Sequence, residues 1–303
     1  MAKILITDGM DKSAVKALKD LGFEVTEKFY PEPELTEAIH NFDAVVVRSA
    51  TKITQPVIDG ANNSLKLIVR GGVGVDNIDV KHAEAHHIKV QNTPGASSDS
   101  VAELALGLMF AVSRQIPQAD ASMKAGKFEK KAFAGGVELA EKTLGIIGMG
   151  RIGASLARMA TALGMKVIGH DQFPETARTR SVPMMTLAEM LPQCDFISLH
   201  IPYDKVAGAE LGAKEFSLMK DGVILINCAR GGVVDEDALL VALNSGKVRG
   251  AGIDVWVGEP NPRRDLADHP KVVALPHIGA ATGEAQSRVG GEVVQILKEF
   301  FKK

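Results

Sequence analysis

Arg230, Glu259 and His277 are the side chains in this 303-residue chain best suited to chemistry, because each sits where an apolar run breaks at glycine or proline. All three follow a single glycine-rich stretch, T-L-G-I-I-G-M-G-R-I-G. A cation, an imidazole and a carboxylate downstream of a dinucleotide-type loop suit hydride exchange with a carbonyl acid: the cation anchors the acid's carboxylate while one proton and one hydride move. Arg230, in N-C-A-R-G-G, can hold a 2-keto or 2-hydroxy acid through two parallel hydrogen bonds, which lysine, a point charge, does less well. His277, in P-H-I-G-A-A-T, has the side chain whose ordinary titration suits proton exchange near neutrality. Glu259, in W-V-G-E-P, is the carboxylate expected to pair with it and favour the imidazolium. Taken singly, each reads more simply as a strand-end cap, a loop histidine or a solvated turn; their joint order carries the chemistry.

Gly148, Gly150 and Gly153 lie between an apolar run and A-S-L-A-R-M-A-T-A-L-G, which has helical composition. In that setting the glycines allow a tight turn, close backbone approach to a pyrophosphate and close helix–strand packing, and the helix N-terminus offers free N–H groups to the anion. Asp171 follows the next strand-like run, K-V-I-G-H, at the spacing of an acid that binds a ribose 2′-OH. A carboxylate there would repel a 2′-phosphate, and Gln172, Phe173 and Pro174 supply no arginine, so NAD is expected over NADP.

The elements that must position these residues read as α/β. Runs K-I-L-I-T, F-E-V-T, D-A-V-V-V-R, L-K-L-I-V-R and K-V-Q-N alternate with helical patterns up to N-T-P-G-A-S-S. A second series from Thr143 continues through K-V-I-G-H-D, D-F-I-S-L-H, V-I-L-I-N-C, R-G-A-G-I-D-V and K-V-V-A-L-P. Such alternation predicts two lobes, Rossmann-like or flavodoxin-like, each built on a parallel sheet. Between them, Ser100 to Glu103 reads as a capping box starting a long helix, and from Gly283 an amphipathic helix ends the chain.

Length fits two domains better than one core. Hydrophobic residues at 46%, charged residues at 24% and a net charge of −2 give no electrostatic footprint for nucleic acid or an anionic membrane, so a small-molecule partner is expected. Two cysteines, Cys194 and Cys228, and an N-terminus without a signal-peptide pattern point to a reducing, cytoplasmic setting.

Together, G-M-G-R-I-G, Asp171, C-D-F-I-S-L-H, N-C-A-R-G-G-V-V-D-E, G-I-D-V and P-H-I-G-A-A-T resemble the D-2-hydroxyacid dehydrogenase family over nearly the whole chain. V-V-V-R-S-A-T-K-I-T, R-G-G-V-G-V-D-N-I-D, R-Q-I-P-Q-A-D-A-S-M-K-A-G-K-F-E-K-K and E-A-Q-S-R are similar to its phosphoglycerate-oxidising branch. The resemblance implies NAD-dependent oxidation of 3-phosphoglycerate to 3-phosphohydroxypyruvate, the first step of serine synthesis. Arg230 would be the anchor, His277 the acid/base and Glu259 its partner. Arg151, Ile152, Asp171, Ile201, Cys228, Ala229, Asp254, Gly279 and Ala280 would line the cofactor site with the three glycines.

The resemblance also implies a substrate-binding domain at 1–98 and 283–303, a nucleotide-binding domain at 99–282, an active site in the cleft between them, and a homodimer formed through the Gly107 to Val137 region. A phosphate needs further cations, for which Arg48, Arg70 and the Lys130–Lys131 pair are candidates, while Gly71, Gly72 and Gly74, helped by Val73, would let backbone amides reach the substrate carboxylate. The chain departs from many relatives at Val73, Ile201 and Ser97. It ends at Lys303 without the C-terminal regulatory domain of longer family members, so either a short, unregulated form or a truncated chain is expected. The rivals are another reductase of the same scaffold, such as one acting on glyoxylate or hydroxypyruvate, and an NADH-sensing corepressor. His82 and His86, in K-H-A-E-A-H-H with His87, have i, i+4 metal-ligand spacing, but the sequence places no third ligand, so a solvated helix face and no metal are expected. Cys228 has no base beside it and reads as a small strand-end residue rather than a nucleophile.

Overall fold

In a computed structural model, which describes residues 1–179 and 181–303, the chain divides into two compact units. One comprises Met1–Ser97 and Ala280–Lys303, the other Ser98–Gly279. The first unit runs β1 (Lys3–Ile6), α1 (Lys12–Asp20), β2 (Glu24–Glu27), α2 (Glu32–Ala38), β3 (Ala44–Val47), α3 (Gln55–Gly60), β4 (Leu67–Arg70), α4 (Val80–Ala85) and β5 (Lys89–Asn92). The second begins with α5 (Ser98–Arg114) and α6 (Ile116–Lys124), then β6 (Thr143–Ile147), α7 (Arg151–Ala162), β7 (Lys166–His170) and α8 (Leu187–Met190). It continues through β8 (Phe196–Leu199), α9 (Ala213–Leu218), β9 (Val223–Asn227), α10 (Glu236–Ser245), β10 (Val248–Ile253), α11 (Arg264–Ala267) and β11 (Val272–Ala274). The last helix, α12 (Gly283–Phe300), belongs to the first unit.

Both sheets are parallel throughout the described residues. The first has the order β2-β1-β3-β4-β5, the flavodoxin-like arrangement. Its central strand β3 is buried at every position and is all alanine and valine, as expected of a strand covered on both faces, whereas edge strand β2 is Glu-Val-Thr-Glu and half open. Asp11 starts α1 by accepting from the N–H groups of Ser13 (3.0 Å) and Ala14 (3.2 Å). Thr282 does the same for α12 through Ala285 N (3.1 Å). Periodicity left the packing of α12 open; Val289, Val293 and Leu297 enter the core beside Ile4, Ile6, Val15 and Leu18. Burying each of those three stabilises the unit by roughly 1.5 to 3 kcal/mol before the entropy of ordering it.

The second sheet has the order β11-β10-β9-β8-β6-β7. A single parallel bridge, Gly169 to Met184, lies where the outermost strand of the fully doubly wound order would pair with β7. The chain reverses direction across the sheet between β6 and β8, which places the topological switch point there. The expected capping box at Ser100–Glu103 is not formed: α5 already begins at Ser98. Ser100 is buried inside the helix and its hydroxyl donates to the Gly279 carbonyl (2.8 Å), a tertiary bond that outcompetes a local cap. No helix is long and apolar enough to cross a membrane among the described residues.

Candidate active site

In the second unit, the strands deliver the candidate residues at their carboxyl ends, where open α/β sheets bind ligands. The glycine loop follows β6, Asp171 follows β7, Ile201 lies just past β8, Cys228 to Arg230 follow β9, Asp254 follows β10 and His277 to Gly279 follow β11. Gly148 has φ +94°, and a Cβ there would strike the His200 carbonyl oxygen, with Ile201 packed close by. Gly153 in turn lies against the Gly148 carbonyl, closing the first turn of α7 onto the loop. Gly150 faces open space and α7 has no side-chain cap, so the amides of Arg151 and Ile152 at its start are available to an anion. Asp171 accepts from the amides of Met149 (2.7 Å) and Phe173 (2.9 Å), which holds its carboxylate beside the glycine loop. An open cradle at an uncapped helix start with an acid alongside fits the pyrophosphate and ribose of NAD.

His277 and Glu259, 18 positions apart in the chain, meet with Nδ1 and Oε2 2.9 Å apart. Since a carboxylate only accepts, Nδ1 carries the hydrogen, and in the neutral ring Nε2 carries the lone pair. The other Glu259 oxygen accepts from Trp256 N (2.9 Å), while the Trp256 indole donates to the Leu275 carbonyl (2.9 Å) and so ties the glutamate's loop to the histidine's. Burial works against the Glu259 carboxylate, yet the bonds from His277 and Trp256, with the nearby charge of Arg230, hold its carboxyl below the ordinary range. It therefore stays negative in neutral solution.

His277 has φ +57°, a left-handed conformation costing a non-glycine residue of order 1 kcal/mol or more. Asp254 holds it there: its carboxylate accepts from both Ile278 N and Gly279 N at 2.8 Å. Burial raises the Asp254 carboxyl, against the pull of those two amides, and Glu259 adds to the rise. Asp254 thus acts on the histidine loop.

Arg230 is held by its own turn. Asn227 accepts from Ala229 N (3.0 Å) and donates to the Arg230 carbonyl (3.1 Å), and the Arg230 guanidinium donates to the Ala229 carbonyl (2.6 Å). Gly231 follows because the Trp256–Val257 backbone passes where a Cβ would sit, which brings the arginine and glutamate loops together. Cys228 is buried and burial pushes its thiol far up, so it is no nucleophile. Asn227 and Trp256 escaped the sequence reading, although both stand inside the motifs that carried it.

In the first unit, Arg48 and Arg70 lie at the ends of β3 and β4. Asp8 accepts from Arg48 N (2.7 Å), Thr51 N (3.1 Å) and the Thr51 hydroxyl (2.5 Å), and Asn77 donates to the carbonyls of Arg48 (2.7 Å) and Thr51 (2.6 Å). The turn carrying Arg48 is therefore braced on both sides. The Arg70 guanidinium donates to the Gly71 carbonyl (3.3 Å), and Asn92 holds the Val73 carbonyl (2.5 Å) just before Gly74. Ala280 accepts from the Gln286 side chain (2.7 Å) at the start of α12. Lys130, in the second unit, sits exposed on a 3-10 turn with Lys131.

The chain resembles known proteins over nearly its whole length. Residues 106–279 match the family model described as D-isomer specific 2-hydroxyacid dehydrogenase, NAD binding domain. A hydroxypyruvate reductase of Thermotoga maritima is 48% identical over 303 residues, covering 98% of each chain. A D-3-phosphoglycerate dehydrogenase of Sus scrofa is 46% identical over 296 residues, 97% of this chain but 55% of that protein, so the chain spans about half the length of such relatives. The solved structure of an NADPH-dependent glyoxylate/hydroxypyruvate reductase from Sinorhizobium meliloti superposes with a TM-score of 0.88 at 30% identity, covering 99% of this chain and 95% of that one. With a bridged histidine and glutamate beside an arginine, on a sheet that ends in a nucleotide loop, the chain belongs to the D-isomer-specific 2-hydroxyacid dehydrogenase family.

Proposed function

We propose that the protein oxidises 3-phosphoglycerate at C2 to 3-phosphohydroxypyruvate with NAD. The carrying observation is the 2.9 Å contact between His277 Nδ1 and Glu259, which leaves Nε2 as the base. Arg230 takes the substrate carboxylate and fixes C2 in place. His277 Nε2 accepts the C2 hydroxyl proton, and the imidazolium so formed is countered by Glu259. NAD, when bound, supplies the acceptor for the hydrogen leaving C2 with its electron pair. Asp254 keeps the histidine turn from relaxing out of its left-handed conformation.

Arg48 and Arg70 are the cations assigned to the phosphate, supported by the bracing that Asp8 and Asn77 give to the Arg48 turn. The test compares 3-phosphoglycerate with glycerate, and 3-phosphohydroxypyruvate with hydroxypyruvate, before and after Arg48→Ala and Arg70→Ala. Loss of preference for the phosphorylated member supports the assignment; a preference for the unphosphorylated pair that ignores both substitutions refutes it. That outcome would favour the second reading, hydroxypyruvate reduction, whose support is the 48% identity to the Thermotoga maritima reductase over nearly the full length of both chains. The protein is also proposed to form a homodimer through α6 and the segment after it, where Ile116, Met123 and Phe128 are 50%, 57% and 81% exposed. Met123→Asp with Phe128→Asp should yield monomers in sedimentation; an unchanged sedimentation coefficient would remove that interface.

A further inference from the structure

His82 on α4 and His86 at its C-cap gain from the fold the third ligand that their sequence context lacks. Asp59, near the end of α3, places Oδ1 2.8 Å from His82 Nε2 and 3.4 Å from His86 Nε2, and one ligand atom from each of the three residues lies within 4.8 Å of the others. Four-coordinate zinc with bonds of 2.0 to 2.1 Å sets its ligand atoms about 3.3 Å apart, a spacing those two distances straddle.

The hydrogen-bond pattern at the cluster is a second observation that points to a cation. His86 Nδ1 lies 2.9 Å from the His82 carbonyl, which can only accept, so Nδ1 carries the hydrogen and the neutral ring presents a bare Nε2 lone pair to a carboxylate oxygen. Two acceptors facing each other need a positive charge between them, which a proton on Nε2 or a metal ion supplies. A backbone carbonyl fixing the far nitrogen of a ligating histidine is also the usual support for such a ligand. The rings stand 4.4 Å apart at 42°, and the side chains of His82, His86 and Asp59 are 24%, 40% and 58% exposed, so an ion has a path in and room for a water as its fourth ligand.

We propose that Asp59, His82 and His86 form a site for a borderline divalent cation of the Zn2+ type. Imidazole nitrogen with a carboxylate oxygen is the ligand chemistry such ions take. The ion would be held by the unprotonated imidazole nitrogens and the ionised carboxylate. It clips α3 to α4 beside the tie already made by Asp79, which accepts from Gln55 Nε2 on α3 (3.0 Å) and from His82 N on α4 (3.0 Å). The loop entering α4 is the one that carries Val73 and Gly74, so the clip stiffens the far end of that loop.

The test uses the full chain stripped with a chelator and dialysed against Zn2+, with bound metal measured by elemental analysis and Co2+ absorption reporting coordination number. Wild type should take up one ion per chain, show a four-coordinate Co2+ spectrum and melt at higher temperature with Zn2+ than without. The His82→Ala/His86→Ala double variant should lose all three responses, and Asp59→Asn, an exposed change with no packing consequence, should bind at least about tenfold more weakly. His87→Ala, adjacent but outside the cluster, should behave as wild type. Uptake by wild type no greater than by the double variant, or uptake that Asp59→Asn leaves untouched, overturns the site.

Discussion

Replacing Glu259 by glutamine removes the charge opposite His277 while keeping the side chain's shape. The Coulomb attraction at their 2.9 Å separation is about 1.4 kcal/mol if fully water-screened and about 5.7 kcal/mol at an effective dielectric constant of 20. The two side chains are 40% and 36% exposed, so the relevant value lies in the lower half of that span, about 2 to 3 kcal/mol. Because that attraction is felt fully only when the imidazolium forms, it should appear in turnover: kcat should fall about 30- to 150-fold in both directions. Glutamine keeps one acceptor oxygen for two donors, His277 Nδ1–H and Trp256 N–H, so the variant should also melt at a lower temperature. The assay is the appearance of NADH with 3-phosphoglycerate and its loss with the keto acid, alongside NADH binding and a thermal melt. Turnover within about threefold of wild type, with the melt shifted as expected, would refute the role given to Glu259, because it would separate the structural bond from the catalytic one.

Asp171→Ser should relax cofactor choice, lowering kcat/KM for NAD and raising it for NADP until the ratio moves by about 10- to 100-fold; steady-state kinetics with both cofactors checks this, and an unmoved ratio excludes Asp171 from the ribose contact. His200 gives an acid-stability prediction: its Nε2 meets the Ser198 hydroxyl (2.9 Å), its Nδ1 is enclosed without a hydrogen-bond partner among the described residues, and burial depresses its pKa to about 4. The folded form then binds fewer protons than the unfolded chain between the ordinary histidine value, about 6.5, and about 4, so stability present above 6.5 is lost as pH falls through that window, by about 2 to 3 kcal/mol. Denaturant melts of His200→Gln should show a flatter pH slope there than wild type, and equal slopes would contradict it.

How far the sequence could be read follows from which interactions are local. β3 and β9 announce themselves because strands covered on both faces carry unbroken apolar runs, A-V-V-V and V-I-L-I. The glycine fingerprint is equally local, since turn, backbone approach and helix start all fall within six residues. The capping box at Ser100 failed because its hydroxyl bonds Gly279, 179 positions away, and no local pattern encodes that choice. The left-handed turn at His277 and the Asp254 carboxylate that holds it are likewise invisible in P-H-I-G, as the two come together only when β10 and β11 pair. Asp8 and Asn77, which brace Arg48 from 40 and 29 positions away, are polar residues in turns until the sheet forms. Asp59 is the same case, an unremarked acid in V-I-D-G until α3 meets α4.

The most direct test of the catalytic account is His277→Asn, assayed for NAD-dependent oxidation of 3-phosphoglycerate at saturating substrate together with NADH affinity. Loss of the base should lower turnover by about 10² to 10⁴ while NADH binding changes little, because the nucleotide loop and Asp171 are untouched. Near-normal turnover with intact NADH binding would contradict the assignment of proton transfer to His277.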